Sequence, residues 1–190
     1  MKYSSPFVSE ESMVVKGTLM NAEELANTFR RLAHQVVEKN EGAENLAVIG
    51  IRTRGISVAK RIKAEIDRIE GVNVPFGVFD ILLYRDDLED LSSEIQFFGS
   101  EVGFPVDGKT VLLCDDVVYT GRTVRAAISA VMQLGRPAKI QFLSLVDRGH
   151  RELPFKADFV GKNVPTSRRE GIAVRLTEDD GEDGVYVYDK

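Results

Sequence analysis

Residues 111–123 read Val-Leu-Leu-Cys-Asp-Asp-Val-Val-Tyr-Thr-Gly-Arg-Thr, and the segment combines three features in a fixed order. An apolar run of strand length comes first, the adjacent carboxylates Asp115 and Asp116 follow, and a small turn rich in hydroxyl groups then opens a helix. Such a turn offers backbone N–H groups and the positive end of a helix dipole, which together favour a phosphate group. The segment therefore predicts a strand that leads into an anion-binding loop.

Apolar runs of strand length alternate with amphipathic segments of helical length on both sides of residues 111–123. The predicted elements are helix 21–40, strand 46–51, helix 56–69, strand 78–84, strand 111–114, helix 123–134, strand 140–146 and a C-terminal hairpin of 172–176 with 185–188, joined by the acidic turn 178–184. Because this alternation is typical of parallel strands joined by helices, it predicts an α/β fold with a mostly parallel, twisted sheet and helices on both faces.

The segment 85–109 interrupts the alternation. It carries many charges, three glycines and Pro105 without steady periodicity. A loop of this length inside a compact domain is usually functional, so we predict a flexible lid that begins at Arg85. No internal repeat is evident, and a single domain is predicted over 13–190, preceded by an extension over 1–12.

Composition excludes several classes of protein. A chain of 190 residues, 43% hydrophobic, is long enough to bury a core, and a formal net charge of −5 argues against binding nucleic acid through general basicity. Cys114 is the one cysteine, so an internal disulfide and a cysteine-based zinc site are excluded and a cytoplasmic location is expected. No apolar run approaches the length of a membrane span, which predicts a protein without a membrane partner.

The adjacent carboxylates need partners, because like charges this close are costly to keep ionised together. A ribose diol, with or without Mg²⁺, supplies such partners, while the turn from Thr120 to Thr123 would hold the phosphate of the same sugar. A solvated acidic turn that only caps a helix is the alternative. The order of strand, carboxylates, turn and helix favours the sugar phosphate.

A second candidate loop, Gly50-Ile-Arg-Thr-Arg-Gly55, follows the predicted strand 46–51. Its amides and Arg54 could hold a second phosphate, or it could form only a tight turn with exposed arginines. Its glycines have the spacing of a P-loop, but Ile56 stands where that loop requires lysine, so an ATP-binding loop is not expected.

Residues 111–123 resemble the phosphoribosyl pyrophosphate (PRPP) motif of the type I phosphoribosyltransferase family. Further segments are similar, in the same order, to the PyrR family of bifunctional pyrimidine operon regulators and uracil phosphoribosyltransferases. They include Arg31-Leu-Ala-His34, Leu83-Tyr-Arg-Asp-Asp87, the segment from Val146 to Pro154 and the segment from Val160 to Ser167. The resemblance extends from about Val14 to the C-terminus, and its last two segments favour the PyrR family over the hypoxanthine, adenine and orotate enzymes.

The resemblance implies that uracil displaces pyrophosphate from PRPP to give UMP, with Mg²⁺ as cofactor. The implied PRPP-binding residues are Thr53, Arg54 and Gly55 in a pyrophosphate loop, and Asp115, Asp116, Val117, Val118, Tyr119, Thr120, Gly121, Arg122 and Thr123. The implied catalytic residues are Arg85, Asp115 and Asp116, and the two aspartates would also hold Mg²⁺ indirectly through PRPP. The implied uracil-binding residues are Val146, Asp147 and Arg148. A surface ion pair with Asp86 or Asp87 is the alternative for Arg85.

The resemblance also implies binding of pyrimidine operon leader mRNA in response to UMP or UTP, by a homodimer or higher homo-oligomer. The implied RNA-binding residues are Arg30, Arg31, His34, Lys39, Arg148 and Arg151. Arg30 and Lys39 depart from the family pattern, which has threonine and arginine at these positions. A solvated helix face with a half-buried histidine is the alternative for the helix residues.

The sequence is therefore compatible with several functions. The first is a uracil phosphoribosyltransferase that also regulates pyrimidine genes through mRNA. The second is the same enzyme without RNA regulation, and the third is a nucleotide-sensing, RNA-binding regulator with weak catalysis. A receiver-like phosphoacceptor domain also uses acidic pairs at strand ends, but the Thr-Gly-Arg-Thr turn does not belong to that pattern.

Overall fold

The computed structural model describes residues 14–82 and 96–190. In chain order the described elements are β1 (Val14–Met20), α1 (Ala22–Asn40), β2 (Leu46–Ile51), α2 (Arg54–Glu70), β3 (Phe76–Leu82), β4 (Gln96–Glu101), β5 (Thr110–Val118), α3 (Arg122–Leu134), β6 (Lys139–Asp147), β7 (Phe159–Asn163), β8 (Glu170–Arg175), α4 (Thr177–Asp180) and β9 (Gly184–Asp189).

A six-stranded sheet in the order β4-β3-β2-β5-β6-β7 forms the centre of the molecule. Within this order, the neighbours β3-β2, β2-β5, β5-β6 and β6-β7 pair in parallel. Strand β4 alone pairs antiparallel, along one edge of β3. The predicted α/β fold with a mostly parallel sheet is confirmed. The central strands β2 and β5 are buried on both faces, which is why their sequences are continuous apolar runs rather than alternating ones.

Helices cover both faces of this sheet. Helices α1 and α2 pack against one face, where Leu112 and Cys114 of β5 meet side chains such as Leu32 and Ile62. Helix α3 packs against the other face, where Leu113 of β5 meets Val124 and neighbouring residues. The alternation of β5 side chains between two hydrophobic clusters gives this strand its place in the middle of the core.

Local interactions at its two ends determine where helix α1 begins and ends. The side chain of Asn21 accepts a hydrogen bond from the backbone N–H of Glu24, and the Glu24 carboxylate accepts one from the backbone N–H of Asn21. This reciprocal capping box satisfies two donors that the helix itself leaves unpaired. At the other end Glu41 adopts the left-handed conformation, with φ of 56°, and closes the helix.

A second sheet, of three strands in the order β1-β9-β8, was not predicted as such. Its antiparallel β8–β9 pair is the predicted C-terminal hairpin, which contains the short helix α4 in its connection. Strand β1 pairs with β9, from Val14 opposite Asp189 to Met20 opposite Val185. Because this pairing joins segments far apart in sequence, the local pattern of β1 did not indicate it.

The segment around α4 is fastened to helix α2 by one arginine. Arg61 donates hydrogen bonds to the carboxylates of Glu178 and Asp183, at distances of 2.5–2.9 Å. Because the hydrogen bonds from Arg61 stabilise the charged form of the Asp183 carboxylate, they lower the pKa of Asp183 to about 2. The acidic residues of this connection therefore form contacts within the fold rather than a freely solvated turn.

Two sequence-based boundaries need correction. Strand β5 continues to Val118, so Asp115 and Asp116 lie within it and not after it, because β6 pairs alongside as far as Asp147. The predicted lid is wrong over 96–109, where β4 pairs with β3 and Val106 is fully buried. The rest of the predicted lid, including Arg85, and the predicted extension 1–12 lie outside the described residues.

Helix α2 approaches the sheet closely at its first turn. A Cβ added to Gly50 would lie 2.7 Å from Cα of Ile56, and one added to Gly55 would lie 2.7 Å from the backbone oxygen of Cys114. These distances are shorter than side chains tolerate, and the opposing atoms are backbone atoms that cannot rotate away. Glycine at both positions allows the end of β2, the start of α2 and β5 to meet.

We predict that Gly50→Ala destabilises the protein by about 1–3 kcal/mol, because the added methyl group must displace the first turn of α2. Thermal or urea unfolding measures this loss. Gly103→Ala is the matched control, since a Cβ at Gly103 has no atom within 4 Å. Equal stability of the two variants would contradict the close packing at Gly50.

A second prediction concerns acid sensitivity. The folded-state pKa of Asp183 is about 2, whereas an unfolded aspartate has a pKa of about 3.9. Its contribution to stability is therefore complete above pH 4 and lost as the pH falls towards 2. Between these pH values, the free energy of unfolding should fall more steeply in the wild-type protein than in Asp183→Asn, as measured by urea unfolding.

The control for this experiment is Asp179→Asn, which changes the charge of the same segment but leaves both carboxylates that contact Arg61 in place. It should keep the steep wild-type pH dependence. The same shallow dependence in both variants would show that general charge, and not the contact with Arg61, causes the acid sensitivity.

Candidate active site

Three loops meet at one edge of the central sheet. Strands β2, β5 and β6 are parallel neighbours, so the segments that follow them emerge at their common carboxyl end. In open α/β sheets this edge is where ligands bind. The segments are the loop 52–55, the turn 119–123 and the connection that begins at Arg148, and each contains residues that the sequence analysis selected.

Asp115 lies beneath the start of helix α2. The residue is 9% exposed, and a Cβ added to Gly55 would lie 3.1 Å from its Oδ1 atom. Burial, followed by the charge of Asp116, raises the pKa of Asp115 well above its usual range. The Oδ1 atom accepts a hydrogen bond from the backbone N–H of Asp116 at 3.0 Å. The pair can bind hydroxyl donors or a cation, either of which favours the charged form.

The turn after β5 has the geometry of an anion site. Gly121 stands at the N-cap of α3 with φ of 92° and provides no side-chain cap, and the N–H of Arg122 donates a long hydrogen bond, 3.4 Å, to Thr120 Oγ1. The first turn of α3 contains no acidic residue. Its N–H groups and the positive end of the helix dipole are therefore available to a phosphate. Arg122, by contrast, has its guanidinium 2.9 Å from the carboxylate of Glu152 at the surface.

The connection after β6 supports this turn, and sequence reasoning had given its residues no such role. The backbone N–H groups of Glu152 and Leu153 both donate to the carbonyl oxygen of Thr120, at 2.9 and 3.2 Å. The side chain of Leu153 approaches to within 3.5 Å of the position that a Cβ on Gly121 would occupy. The conformation of the turn thus depends on a segment about 30 residues later in the chain.

The loop 52–55 joins β2 to α2. The peptide bond between Arg52 and Thr53 is cis. Arg54 is the first residue of α2, and its guanidinium donates to the carboxylate of Asp180 at 2.5 Å. Arg54 is therefore at the predicted loop, but it is bound to the C-terminal segment rather than exposed. Asp180 is a site neighbour that the sequence did not reveal, because it lies 126 positions away.

Val146 and Asp147, at the end of β6, differ in which of their groups can reach the carboxyl edge of the sheet. The side chain of Val146 is fully buried in the hydrophobic cluster that includes α1, so only its backbone can reach this edge. Asp147 is also buried, and its Oδ1 atom accepts a hydrogen bond from the N–H of Gly149 at 2.9 Å. Arg151 lies 3.7 Å from the other carboxylate oxygen of Asp147. Asp147 thereby holds the backbone that follows the strand.

Arg148 is buried, with 6% of its surface exposed. Its guanidinium stacks 4.1 Å from the centre of the Tyr119 ring and donates to Thr166 Oγ1 and to the carbonyl oxygen of Glu170. The expectation that this side chain forms part of an RNA-facing surface is therefore wrong, because an aromatic ring and two oxygen acceptors hold it inside. It fixes Tyr119, the residue before the anion-binding turn.

The four basic candidates on α1 are all exposed, namely Arg30, Arg31, His34 and Lys39. The alternative of a half-buried histidine is therefore wrong. Arg31 donates to the carbonyl oxygen of Gly161 at 2.6 Å, and Lys39 lies 2.8 Å from the carboxylate of Asp158. Between α1 and residues 156–160 is a groove of about 550 Å³, which Lys39 and Lys156 help to line. Arg151, a further RNA-binding candidate, is not on α1 but lies in the connection after β6.

Residues 14–82 and 96–190 bring together no group of three or more His, Cys, Asp or Glu side chains that could hold a metal ion. Among the helices described, none has both the length and the apolar character needed to cross a membrane.

Comparison with solved structures supports the fold. A hypoxanthine phosphoribosyltransferase from Trypanosoma cruzi superposes with a TM-score of 0.74 at 18% identity, covering 92% of this chain and 95% of that one. A hypoxanthine-guanine phosphoribosyltransferase from Bacillus anthracis gives a TM-score of 0.74 at 20% identity, covering 93% and 99%. At such low identity these likenesses establish the architecture alone.

Sequence comparison identifies the family. Residues 17–178 match the phosphoribosyl transferase domain family. The chain is 53% identical to the bifunctional protein PyrR of Clostridioides difficile, covering 92% of this chain and 99% of the relative. It is also 53% identical to the PyrR protein of Thermus aquaticus, covering 94% and 98%. The chain therefore belongs to the phosphoribosyl transferase domain family and, within it, to the PyrR proteins.

Proposed function

We propose that the protein is a uracil phosphoribosyltransferase that converts uracil and PRPP to UMP and pyrophosphate, and that it also regulates pyrimidine genes by binding their leader mRNA. One observation carries the enzymatic part. The carboxylates Asp115 and Asp116, the uncapped start of α3 and the loop 52–55 lie at the carboxyl ends of neighbouring parallel strands. The PyrR relatives support both parts.

The three features match the three parts of PRPP. The 5′-phosphate would lie against Thr120–Thr123, where helix N–H groups stabilise a dianion. The ribose hydroxyl groups would donate to Asp115 and Asp116, which lowers the penalty of keeping both carboxylates charged. The pyrophosphate would extend towards Thr53, Arg54 and Gly55, whose backbone lies next to Asp115. Val117 and Val118, the last residues of β5, and Tyr119 lead from the carboxylates to the turn in this arrangement.

Catalysis on such a scaffold depends on positioning and charge. Loss of pyrophosphate leaves positive charge on the ribose ring, and the nearby carboxylates stabilise that charge. Mg²⁺ would neutralise the departing pyrophosphate, and the oxygen donors Asp115 and Asp116 suit this ion. Since the described residues form no metal cluster of their own, the oxygens of PRPP would supply most of the ligands. We retain Arg85 as the candidate that closes over pyrophosphate.

Uracil would lie beside the end of β6. The backbone after Asp147 is shaped by the hydrogen bond between Gly149 and the Asp147 carboxylate. Peptide N–H and C=O groups in this segment can form hydrogen bonds with the edge of a pyrimidine ring. The backbone of Val146 would lie at the base of this pocket. Arg148 would contribute by holding Tyr119 in place rather than by touching the base directly.

The second function is favoured by the exposed basic face of α1. Arg30, His34 and Arg31 stand on the same side of the helix, because residues three and four positions apart are neighbours. Lys156 and Lys162 are exposed beside and within β7, and Lys39, which is paired with Asp158, lies next to them. Contacts of this kind with phosphates give affinity even to a protein with negative net charge. We place this activity in a cytoplasmic homodimer or larger homo-oligomer.

We predict that Asp116→Asn lowers the rate of UMP formation from uracil and PRPP at least about 100-fold, because one of the two charged groups at the ribose is lost. The assay follows radiolabelled uracil into UMP, and thermal unfolding confirms that the variant is folded. Glu65→Gln, which neutralises a partly exposed carboxylate of α2 that pairs with Arg68, should retain wild-type activity. Full activity in Asp116→Asn would refute the proposed site.

We further predict that Arg30→Ala weakens binding to the pyrimidine leader transcript several-fold and lowers the slope of log K against log salt concentration by about 0.7. UMP formation should be unchanged, since Arg30 is on the outer face of α1. Filter binding at several salt concentrations, with and without UMP, measures the effect. Arg68→Ala on α2 is the matched control. Absence of RNA binding by the wild-type protein would leave the enzyme as the sole function.

A further inference from the structure

Arg54, in the loop proposed to hold pyrophosphate, is bound at two points by a carboxylate from the C-terminal segment. Its Nη2 donates to Oδ1 of Asp180 at 2.5 Å, and its Nε donates to Oδ2 at 3.3 Å. Both side chains are largely buried, with 23% of Arg54 and 11% of Asp180 exposed. Contact of a planar guanidinium with both carboxylate oxygens fixes its orientation as well as its position.

The Asp180 carboxylate is itself held by the backbone. Its Oδ2 atom accepts a hydrogen bond from the N–H of Leu176 at 2.9 Å, and the N–H of Asp180 donates to the carbonyl oxygen of Leu176 at 2.7 Å. The side chain of Leu176 is fully buried in the core. An unbroken series of contacts therefore runs from the core through Leu176 and Asp180 to the guanidinium of Arg54.

The surroundings of Arg54 place it beside the ribose-binding carboxylates. Burial by itself lowers the pKa of the guanidinium, but hydrogen bonding to Asp180 and the charges of Asp180 and Asp116 outweigh this effect and raise the pKa. The residue after Arg54 packs directly against the carboxylates, since a Cβ added to Gly55 would lie 3.1 Å from Oδ1 of Asp115, so one substrate can contact both the loop and the carboxylates. In PRPP the ribose and the pyrophosphate are directly joined.

A separate contact holds the rest of this segment. Arg61 binds Glu178 and Asp183, so the connection between β8 and β9 stays attached to α2 by a group other than Asp180. The fold thus has one ion-pair cluster for attachment and a different carboxylate for Arg54. Removal of the Asp180 charge should therefore affect Arg54 without releasing the segment.

We propose that Asp180 is a positioning residue of the transferase, which acts through Arg54 by holding its guanidinium in the orientation that binds the pyrophosphate group of PRPP. The inference rests on the proposed function and extends it to a residue of the C-terminal segment. An arginine held in advance loses less side-chain entropy when it binds a phosphate than a mobile one does. The C-terminal hairpin in this way takes part in binding the leaving group.

The test compares the wild-type protein with Asp180→Asn. Calorimetric titration with inorganic pyrophosphate in the presence of Mg²⁺ should show a dissociation constant raised about five- to tenfold, as expected for the loss of one strong charged contact. The KM for PRPP should rise by a similar factor, while the KM for uracil stays within about twofold of wild type. A purely structural role would not separate the two substrates in this manner.

Two further variants make the result specific. Glu178→Gln removes a carboxylate from the Arg61 cluster, lowers stability at most slightly, and should leave pyrophosphate binding unchanged. In an Arg54→Gln background, Asp180→Asn should change the dissociation constant by less than about twofold, because its effect passes through Arg54. An equal loss in both backgrounds would overturn the inference.

The outcomes also separate this inference from the proposed function. A wild-type protein that forms UMP and binds pyrophosphate, together with an Asp180→Asn variant that binds it equally well or more tightly, refutes the role of Asp180 alone. Tighter binding would mean that Asp180 withholds Arg54 from the substrate. A folded wild-type protein that neither forms UMP nor binds pyrophosphate refutes the proposed function and this inference with it.

Discussion

The close approach of the first turn of α2 to strands β2 and β5 is the constraint on which the rest of the site depends. Glycine at positions 50 and 55 removes the side chains that would keep them apart. The same approach buries Asp115, which raises its pKa and makes a charged or hydroxyl-bearing partner favourable. The glycines that allow α2 to pack closely therefore also allow Asp115 to be buried. Burial disfavours the charged carboxylate, so a ligand that stabilises its charge binds favourably.

Around this point, each loop of the site is supported by a segment that is remote in sequence. The turn at Thr120 is held by the N–H groups of Glu152 and Leu153, and Tyr119 is held by the buried Arg148. Arg54 is held by Asp180. A loop fixed from outside loses little freedom when a substrate binds, which is the condition that positional catalysis requires. The rigidity of the site therefore depends on contacts with segments from several parts of the fold.

Local signals were enough to predict much of this structure, and the failures have a common cause. The capping box at Asn21 and the apolar run before Asp115 act over a few residues, so the sequence could indicate α1 and the anion-binding turn. The pairing of β1 with β9 and the contact of Arg54 with Asp180 join residues more than 100 positions apart. The burial of Arg148 likewise depends on Tyr119, Thr166 and Glu170, and no pattern around Arg148 itself could show it.

The pairing of β1 with β9 has a consequence for the order of events during synthesis on the ribosome. Val14 is synthesised long before its partner Asp189, so β1 has no hydrogen-bonded neighbour in this sheet until the segment of β9 has been made. Contacts between such distant residues close the longest loops and are expected to form late. The small sheet would then be the last part to assemble, after neighbouring strands of the central sheet have paired.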